Sequence, residues 1–408
     1  MLTFKEFLLE NTGANKHLEH LEDELLNTSF DGLRNSIEYM LSISKSLSGY
    51  NQGITVTTKW DGAPAIIAGT DPETRKFFVA TKHGATAKNM KLNFSEEDVD
   101  NNHPGEGLNK KLKVCLRELK KLNLNGVYQG DLLYSETQEK KMETIDGNKY
   151  LTFTPNTITY AIPFGSELYK KIQNSKIGIV WHTKYSGEGP VNTMNANFNL
   201  GNNFYTENKS VWSRTAEFEY AGGIASFNKK EQDSFRSILS AVGKIFRKLD
   251  KKVLNTISDD KEINIQIKTF FNSKVREGKS IGNSEKHVMS LIQYLKDKLN
   301  LKVQSLKTEK GRTSKIEKNE EFLKFFRDNK QQLAMVFDTQ KLLIAAKNIL
   351  IKKLQTIESS EKTFVRTSNG YKVTNPEGFV AYHIDKGALK LVDRLEFSKQ
   401  NFTINKSW

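Results

Sequence analysis

Residues 55–69, TVTTKWDGAPAIIAG, are apolar and β-branched at both ends but are interrupted by Lys59-Trp60-Asp61-Gly62. The flanking patterns predict two strands, and Gly62 permits a sharp turn between them. A lysine within a buried strand is costly unless it is paired or its pKa is shifted. A lysine beside a tight turn can instead serve as a nucleophile, with Asp61 holding and orienting its amine. Lys-x-Asp-Gly alone is a weak signal, so the interpretation depends on other segments.

The length and composition of the chain limit its class. The chain has 408 residues and a formal net charge of +14, which favours two or three domains and an anionic partner. Its single cysteine, Cys115, lies in a helical pattern and is expected to be a buried small hydrophobe. One cysteine excludes an internal disulfide and a cysteine-rich zinc site. No apolar run approaches about 18 residues, so neither a transmembrane helix nor a membrane partner is expected.

The excess positive charge is concentrated in residues 229–362. This segment holds 30 Lys and Arg against 17 Asp and Glu, a net charge of +13, and no proline occurs between Pro190 and Pro376. Its long apolar repeats of about 3.6 residues predict an all-helical block. A folded segment with this charge is a candidate for contact with a nucleic-acid backbone. The alternative is that its lysines are simply solvated on helix surfaces.

The rest of the chain predicts an α+β domain that this block interrupts. Residues 15–48 have the spacing of two helices, residues 53–84 that of strand, turn and strand, and residues 109–123 that of another helix. Strand patterns fill much of residues 126–186 and return from about residue 363. We therefore predict one domain from residues 11–228 and 363–408. The basic helical insertion, residues 229–362, is expected to project from it.

Five segments resemble, in order, the motifs of the covalent nucleotidyltransferases, which include ATP-dependent DNA and RNA ligases and mRNA capping enzymes. KWDGAPAI at 59–66 resembles motif I, whose lysine takes a nucleoside monophosphate as a phosphoramidate. VYQGDLLYS at 127–135 resembles motif III, with Gly130-Asp131 where the family has Gly-Glu. NPEGFVAY at 375–382 resembles motif IV, whose acid, here Glu377, works with the metal. The resemblance implies a ligase adenylation fold of antiparallel sheets flanked by helices.

The other two segments supply an aromatic residue and a lysine. IGIVWHTKY at 177–185 resembles motif IIIa, whose aromatic stacks on the base; this implies that role for Trp181, while His182 replaces the usual acid. GALKLVDRLEFSKQNF at 387–402 resembles motif V, which implies that Lys390 contacts the α-phosphate. The second lysine common in motif V is missing here. After motif I, ATKHGATAKN at 80–89 places Lys82 where the family usually has arginine.

The resemblance implies a complete set of site residues and cofactors. The cofactors are ATP and Mg²⁺, with Mn²⁺ as a substitute, and the metal ligands are Glu377 and Asp131. The catalytic residues are Lys59, Asp61 and Lys390. The implied nucleotide-binding residues are Trp60, Gly62, Lys82, Asp131, Trp181, Glu377 and Lys390.

Each of these residues taken alone has an ordinary structural explanation. Asp131 follows a glycine and Glu377 precedes one, as residues in turns often do. Trp181 could be an ordinary core residue, and Lys390 could be an ordinary surface lysine. His83 and His182 are expected to be hydrogen-bonded structural residues, because no second histidine or cysteine lies at metal-binding spacing. The prediction of a nucleotide site depends on the motifs occurring together and in order.

The resemblance favours an ATP-dependent polynucleotide ligase that acts through a lysyl-AMP on Lys59. About 14 residues follow Arg394, too few for the OB-fold domain of DNA ligases and capping enzymes. This favours an RNA-ligase type, with RNA rather than DNA as the partner of the helical insertion. One alternative is a transferase that places a nucleoside monophosphate on a protein or RNA end. Another is a DNA-associated binding protein, internal to a phage head, on a degenerate nucleotidyltransferase fold.

The first ten residues, MLTFKEFLLE, resemble the capsid-targeting peptides of internal head proteins of T-even-type phages. The prohead protease cuts such peptides after a glutamate, here Glu10. The resemblance implies the prohead protease and the capsid interior as partners, and a location in the infected-host cytoplasm or the phage head. TTKWDGAPA and KHLEHLED also resemble segments of T-even-like phage proteins. The alternative for residues 1–10 is an ordinary N-terminal helix.

Overall fold

The chain folds as a mixed α+β protein with largely antiparallel sheets, as expected from its sequence pattern. The computed structural model describes residues 18–50, 53–136, 139–216, 226–356, 362–367, 370–373, 377–383 and 387–398. The predicted targeting peptide, residues 1–10, lies outside the described residues. The domain boundaries at 228 and 363 stay predictions.

Fourteen strands occur in the described residues. In chain order they are β1 (Ile54–Lys59), β2 (Ala65–Thr70), β3 (Phe77–Thr81), β4 (Val127–Tyr134), β5 (Lys141–Ile145), β6 (Asn148–Phe153), β7 (Ile158–Pro163), β8 (Ile177–Ser186), β9 (Asn195–Asn197), β10 (Val211–Thr215), β11 (Lys362–Thr367), β12 (Gly370–Val373), β13 (Gly378–His383) and β14 (Gly387–Leu391). The strand pattern predicted within residues 53–84, in residues 126–186 and after residue 363 is confirmed.

The strands form three sheets. The three-stranded sheet has the order β1-β13-β14, the six-stranded sheet has β10-β8-β4-β2-β3 with β9 on β8, and the five-stranded sheet has β12-β11-β7-β6-β5. Only the β10–β8 pair is parallel among these described pairings. The three-stranded and five-stranded sheets each join strands from both sides of the helical insertion. The two parts of the α+β region are therefore one structure.

Eleven α-helices accompany the sheets in the described residues. In chain order they are α1 (Glu24–Leu47), α2 (Lys82–Thr86), α3 (Glu96–Asn102), α4 (Glu106–Leu119), α5 (Glu167–Gln173), α6 (Lys229–Phe246), α7 (Lys251–Asp259), α8 (Lys261–Arg276), α9 (Ser284–Gln304), α10 (Glu309–Asp328) and α11 (Lys330–Gln355). The two helices predicted in residues 15–48 are found, within the described residues, as two helical segments of α1 that meet at a kink at Thr28 and Ser29, where the backbone leaves the helical conformation. A 3₁₀ turn, Leu21–Asp23, leads into it.

The helical block α6–α11 shares its core with the three-stranded sheet. Its apolar side chains form one continuous cluster with Leu25 and Tyr39 of α1, Phe379 of β13 and Leu391 of β14. The expectation that this block projects from the rest of the chain is therefore wrong. Amphipathic helices bury their apolar stripes, and here the sheet and α1 complete that burial.

A buried ionic cluster also joins the block to the N-terminal segment. Lys347 of α11 donates to Glu22 at 2.7 Å, and both side chains are fully buried. Arg394, just after β14, lies 3.4 Å from Glu22 through Nε and donates to Asp23. We call Glu22, Asp23, Lys347 and Arg394 the ionic clamp. It connects three segments that are distant in sequence.

Two further expectations concern apolar burial. Cys115 is buried in the helix-covered core of the six-stranded sheet, as predicted, and burial raises the pKa of its thiol to about 12. Within the described residues, no helix is both long and apolar enough to cross a bilayer.

Candidate functional site

Strand pairing brings Lys59 and Glu377 together across 318 residues of sequence. In the antiparallel pair of β1 and β13, Lys59 lies opposite Gly378, so Glu377 immediately precedes the paired position. The Lys59 Nζ to Glu377 Oε2 distance is 2.5 Å. The first and fourth of the motif-like segments thus meet at one end of the three-stranded sheet.

The alternation of side chains places Lys390 on the same face as Lys59. Lys390 lies opposite Val380, and Val380 lies opposite Thr57, two residues from Lys59. Leu389 and Leu391 point into the core shared with the helical block. Successive residues of a strand face opposite sides, so Lys390 points away from that core. We call this side of the three-stranded sheet, which carries Lys59 and Lys390, the site face.

Asp131 reaches the site from the six-stranded sheet. It lies on β4 opposite Ala65 of β2, next to the turn that follows Lys59. A Cβ at Gly62 would lie 2.6 Å from the Asp131 Cβ and 2.9 Å from the Leu132 carbonyl oxygen. Gly62 is therefore needed because the turn packs directly on β4, a steric reason that adds to the predicted role in nucleotide binding.

Gly62→Ala is expected to lower the free energy of unfolding by about 1–3 kcal/mol, because backbone and Cβ atoms must shift to admit the methyl group. Gly107→Ala is the matched control, since a Cβ at Gly107 in α4 meets nothing within 4 Å. That control should be neutral or slightly stabilising, as alanine is favoured in helices. Urea unfolding of both variants measures the difference. Equal stabilities would contradict the close packing of the turn on β4.

Asp61 does not hold the Lys59 amine, contrary to the sequence-based expectation. One oxygen of the buried Asp61 accepts from the Asn156 side chain at 2.7 Å. The other accepts from the backbone N–H groups of Thr157 and Ile158, at 2.6 and 2.8 Å. A short carboxylate readily pairs with the N–H groups of a turn. Asp61 therefore anchors the Lys59 turn to the start of β7, and Glu377 contacts the amine.

Trp181 is also not placed as the sequence suggested. Its ring is fully buried in the core of the six-stranded sheet, and its Nε1 donates to Ser213 at 2.7 Å. It therefore offers no face to a nucleotide base. The β4–β8 register shifts beside Gly130, and the extra residue there on β8 is His182. The His182 Nε2 lies 3.7 Å from Asp131 Oδ1, so His182 rather than Trp181 faces the site.

Trp60 is buried as well, in an aromatic group beneath the turn. Its ring stacks on Tyr160 at a centroid distance of 4.8 Å and meets Trp212 edge-on at 6.2 Å. The Tyr160 hydroxyl accepts from the Asp61 backbone N–H at 2.7 Å. The Trp60 ring therefore packs beneath the turn, and its contact with a cofactor stays a prediction.

Opposed charges at the site shift several pKa values. Burial disfavours the charge on Lys59, but Glu377 and Asp131 outweigh burial and raise the pKa of Lys59. Burial raises the pKa of Glu377, although Lys59 works against it. Burial also lowers the pKa of Lys82, against the attraction of Asp131. The neighbouring carboxylates thus favour the protonated form of the Lys59 amine.

The pKa of Lys390 is shifted in the opposite direction to that of Lys59. Burial, helped by the positive charge of Lys59, lowers the pKa of Lys390 to about 8. Lys82 acts in the same direction, which places Lys82, Lys59 and Lys390 within electrostatic reach of one another. Three lysines and two carboxylates therefore lie within electrostatic reach at this site.

Two carboxylates at this site, Glu377 and Asp131, carry oxygen donors of the kind that hard divalent cations bind. Glu377 contacts the Lys59 amine, and Asp131 lies within electrostatic reach of that amine. No group of three or more His, Cys, Asp or Glu side chains suited to a metal occurs among the residues that the structure describes. Mg²⁺ commonly binds through one or two carboxylates together with substrate phosphates, and two carboxylates meet that requirement.

Sequence reasoning missed three residues that shape this site. Asn156 and Tyr160 fix the Lys59 turn, and the segment TPNTITY that carries them was recognised only as part of a strand pattern. His20 lies beside Lys390, where the two form an isolated parallel β-bridge. The only signal for His20 was its place in the predicted lead-in helix, which gave no reason to expect it at the site.

Comparisons with known proteins place the chain in a family but do not assign an activity. No curated protein and no solved structure matches it. One family model matches residues 15–406, which is nearly the whole chain and includes both parts of the α+β region and the helical block. The protein belongs to this family, DUF6267, a family of unknown function.

Proposed function

We propose that the protein is a nucleotidyltransferase that forms a covalent lysyl-nucleotide on Lys59, with ATP as the donor. The contact between Lys59 and Glu377 carries this proposal, because it joins a nucleophile and a carboxylate from two separate motif-like segments. Asp131, Lys82 and Lys390 around that pair supply the charges that handling a triphosphate requires. The family resemblance of the same segments favours a ligase of the RNA type.

The first step forms a phosphorus–nitrogen bond. Lys390 and Lys82 hold phosphate oxygens, and the Lys59 amine attacks the α-phosphorus of ATP. The bond from the α-phosphorus to the bridging oxygen breaks, and pyrophosphate leaves with that electron pair. The amine must first be neutral, and Glu377, 2.5 Å away, is the nearest acceptor for its proton. Asp131 and Glu377 would hold Mg²⁺, and the ion would supply positive charge to offset that of the triphosphate.

The second and third steps transfer the nucleotide and seal a strand. A 5′-phosphate oxygen attacks the lysyl-bound phosphorus, the phosphorus–nitrogen bond breaks, and Lys59 recovers a proton. A 3′-hydroxyl then attacks the activated 5′-phosphate and releases AMP. The helical block would hold the nucleic acid, since α6, α7 and the loop between them expose a run of cations. These are Lys244, Arg247, Lys248, Lys251 and Lys252.

A second candidate is a nucleotide-binding protein without transfer, on a degenerate fold. Two observations favour it: Glu377 lies 2.5 Å from the Lys59 amine and favours its protonated form, and the predicted base platform, Trp181, is buried. Such a protein would bind ATP without a covalent adduct. Adduct formation therefore separates the two candidates.

Nucleotide affinity is expected to fall as the pH rises above about 8, because Lys390, whose pKa is lowered to about 8, loses its charge there. Below that pH the amine is protonated and attracts phosphate; above it the attraction is lost. Lys390→Gln should bind more weakly at pH 7 and lack this step. Calorimetric titration with ATP between about pH 7 and pH 9.5 checks it. A wild-type profile that matches Lys390→Gln would rule out the phosphate contact.

Acceptor transfer tests the ligase reading. The purified protein, labelled with Mg²⁺ and α-³²P ATP or GTP, is chased with 5′-phosphorylated RNA or nicked DNA. A ligase passes the label to the 5′-phosphate and joins the strands, with RNA the better substrate. A label that forms but moves only to a protein or an RNA end without joining identifies the other transferase reading. A protein that never labels with either nucleotide is not an autonomous nucleotidyltransferase.

A further inference from the structure

The N-terminal lead-in segment adds a short strand-like contact to the three-stranded sheet. Glu19 accepts from the Lys390 backbone N–H through its carbonyl oxygen at 2.9 Å, and His20 forms the parallel bridge to Lys390. The Glu19 side chain is also fixed, because Lys268 of α8 donates to it at 3.1 Å. The backbone of this segment is therefore held at the edge of β14, next to a predicted site lysine.

The bridge sets the direction of the His20 side chain. Residues paired across strands carry their side chains on the same face, so His20 follows Lys390. The next residue, Leu21, is fully buried in the core shared with the helical block, on the opposite side. His20 and Lys390 therefore both belong to the site face, although one precedes β1 and the other lies in the last strand.

The surroundings of His20 suit an anion. Its Nδ1 atom is buried and has no hydrogen-bond partner among the described residues. Burial, followed by the positive charges of Arg394, Lys347, Lys390 and Lys59, lowers the pKa of His20 well below its usual range. A buried ring nitrogen without a partner is costly, and an oxygen-rich ligand would satisfy it. A bound anion would also offset the charge of Lys390, one of the cations that act on His20.

We propose that His20 binds a phosphate group of the nucleotide together with Lys390, so that the N-terminal segment completes the anion site of this protein. The inference rests on the proposed function for the identity of its ligand. Neutral imidazole donates one N–H to a phosphate oxygen, and it gains a proton when the anion lowers the cost of its charge. Phosphate binding also satisfies an atom that is otherwise buried without a partner.

Pyrophosphate binding tests this without requiring transfer. Calorimetry compares wild type, His20→Ala and His20→Gln, each also in a Lys59→Ala background that cannot be adenylylated on Lys59. His20→Ala should bind pyrophosphate about tenfold more weakly, the loss of one hydrogen bond to a charged group, while His20→Gln keeps a donor and loses less. His103→Gln, at the end of α3, is the control histidine and should bind as wild type does. Near-ultraviolet circular dichroism confirms that each variant is folded.

The outcomes separate this inference from the proposed function. Equal pyrophosphate affinity for wild type and His20→Ala, or no binding by folded wild type, overturns the role of His20 even when Lys59 becomes labelled. Weaker binding by His20→Ala supports the role of His20 even when no label forms, and in that case only the transfer proposal fails.

Discussion

Lys59→Ala is expected to lower covalent labelling by ATP by roughly a thousandfold or more, because it removes the atom that forms the bond. Lys59→Arg should fail equally, since a guanidinium stays protonated and cannot attack phosphorus. Labelling with α-³²P ATP and Mg²⁺, followed by a denaturing gel, measures both. Lys59→Arg keeps the positive charge but lacks a nucleophilic amine. Its failure to become labelled would therefore show that the amine, and not only the charge, is required.

Lys76→Ala is the matched control for these variants. Lys76 is exposed in the turn between β2 and β3, away from the site face, and its removal should leave labelling unchanged. Labelling that persists in Lys59→Ala would place the covalent bond on another residue and remove the basis of the mechanism.

Lys347→Met is expected to lower the free energy of unfolding by about 3–5 kcal/mol at pH 7. The change leaves the buried Glu22 with Arg394 as its remaining cation, and Arg394 also serves Asp23. Breaking one partner of a buried ion pair costs far more than losing an exposed lysine. Chemical unfolding measures the change. Lys352→Met, exposed on the same helix, should alter stability by less than about 0.5 kcal/mol.

The pH dependence of this loss follows from Glu22. Burial raises the pKa of Glu22, but Lys347 and Arg394 together outweigh burial, so its pKa lies below the usual value. Its contribution to stability is present above the usual pKa and is lost as the pH falls. The penalty of Lys347→Met should therefore shrink at about pH 4. The double variant Glu22→Gln/Lys347→Met should recover part of the stability, and a strictly additive double variant would contradict the direct pairing.

Strand positions were predictable because their signals are local. The alternation around Lys59 and the apolar runs after Gly130 and Gly378 correspond to β1, β4 and β13. The neighbouring placement of Lys59 and Glu377 was also predicted, but from the motif resemblance, since no local pattern reports a contact across 318 residues. The two helices predicted in residues 15–48 were also local signals, and they meet in α1 at the kink at Thr28 and Ser29.

Side-chain partners were less predictable because they depend on tertiary packing. The Asp61 carboxylate accepts from the backbone N–H groups of Thr157 and Ile158. Nothing in KWDG indicates whether Asp61 pairs with those groups or with the Lys59 amine. Trp181 and His182 differ by one position, and one position decides the face of a strand. The register shift of β8 beside Gly130, which arises only in the assembled sheet, places the extra residue, His182, toward Asp131.

The packing of the helical block against the three-stranded sheet could not be predicted from the sequence, for a related reason. The charge and the helical repeat of the block were evident in the sequence. The burial of Lys347 was not, because nothing in the sequence distinguishes Lys347 from the exposed lysines around it. Its partner, Glu22, lies in a lead-in segment 325 residues earlier. The same segment brings His20 to Lys390. The Glu22–Lys347 and His20–Lys390 contacts both depend on how the N-terminal segment packs against α11 and β14.

Intact-protein mass spectrometry, with peptide mapping, tests the central claim most directly. The protein is incubated with ATP and Mg²⁺, and its mass is compared with that of the untreated protein. The account predicts a gain equal to one AMP residue, carried by the peptide that contains Lys59 and absent from Lys59→Ala. An unchanged mass in folded protein that binds ATP would contradict covalent nucleotidyl transfer and favour the binding-protein alternative.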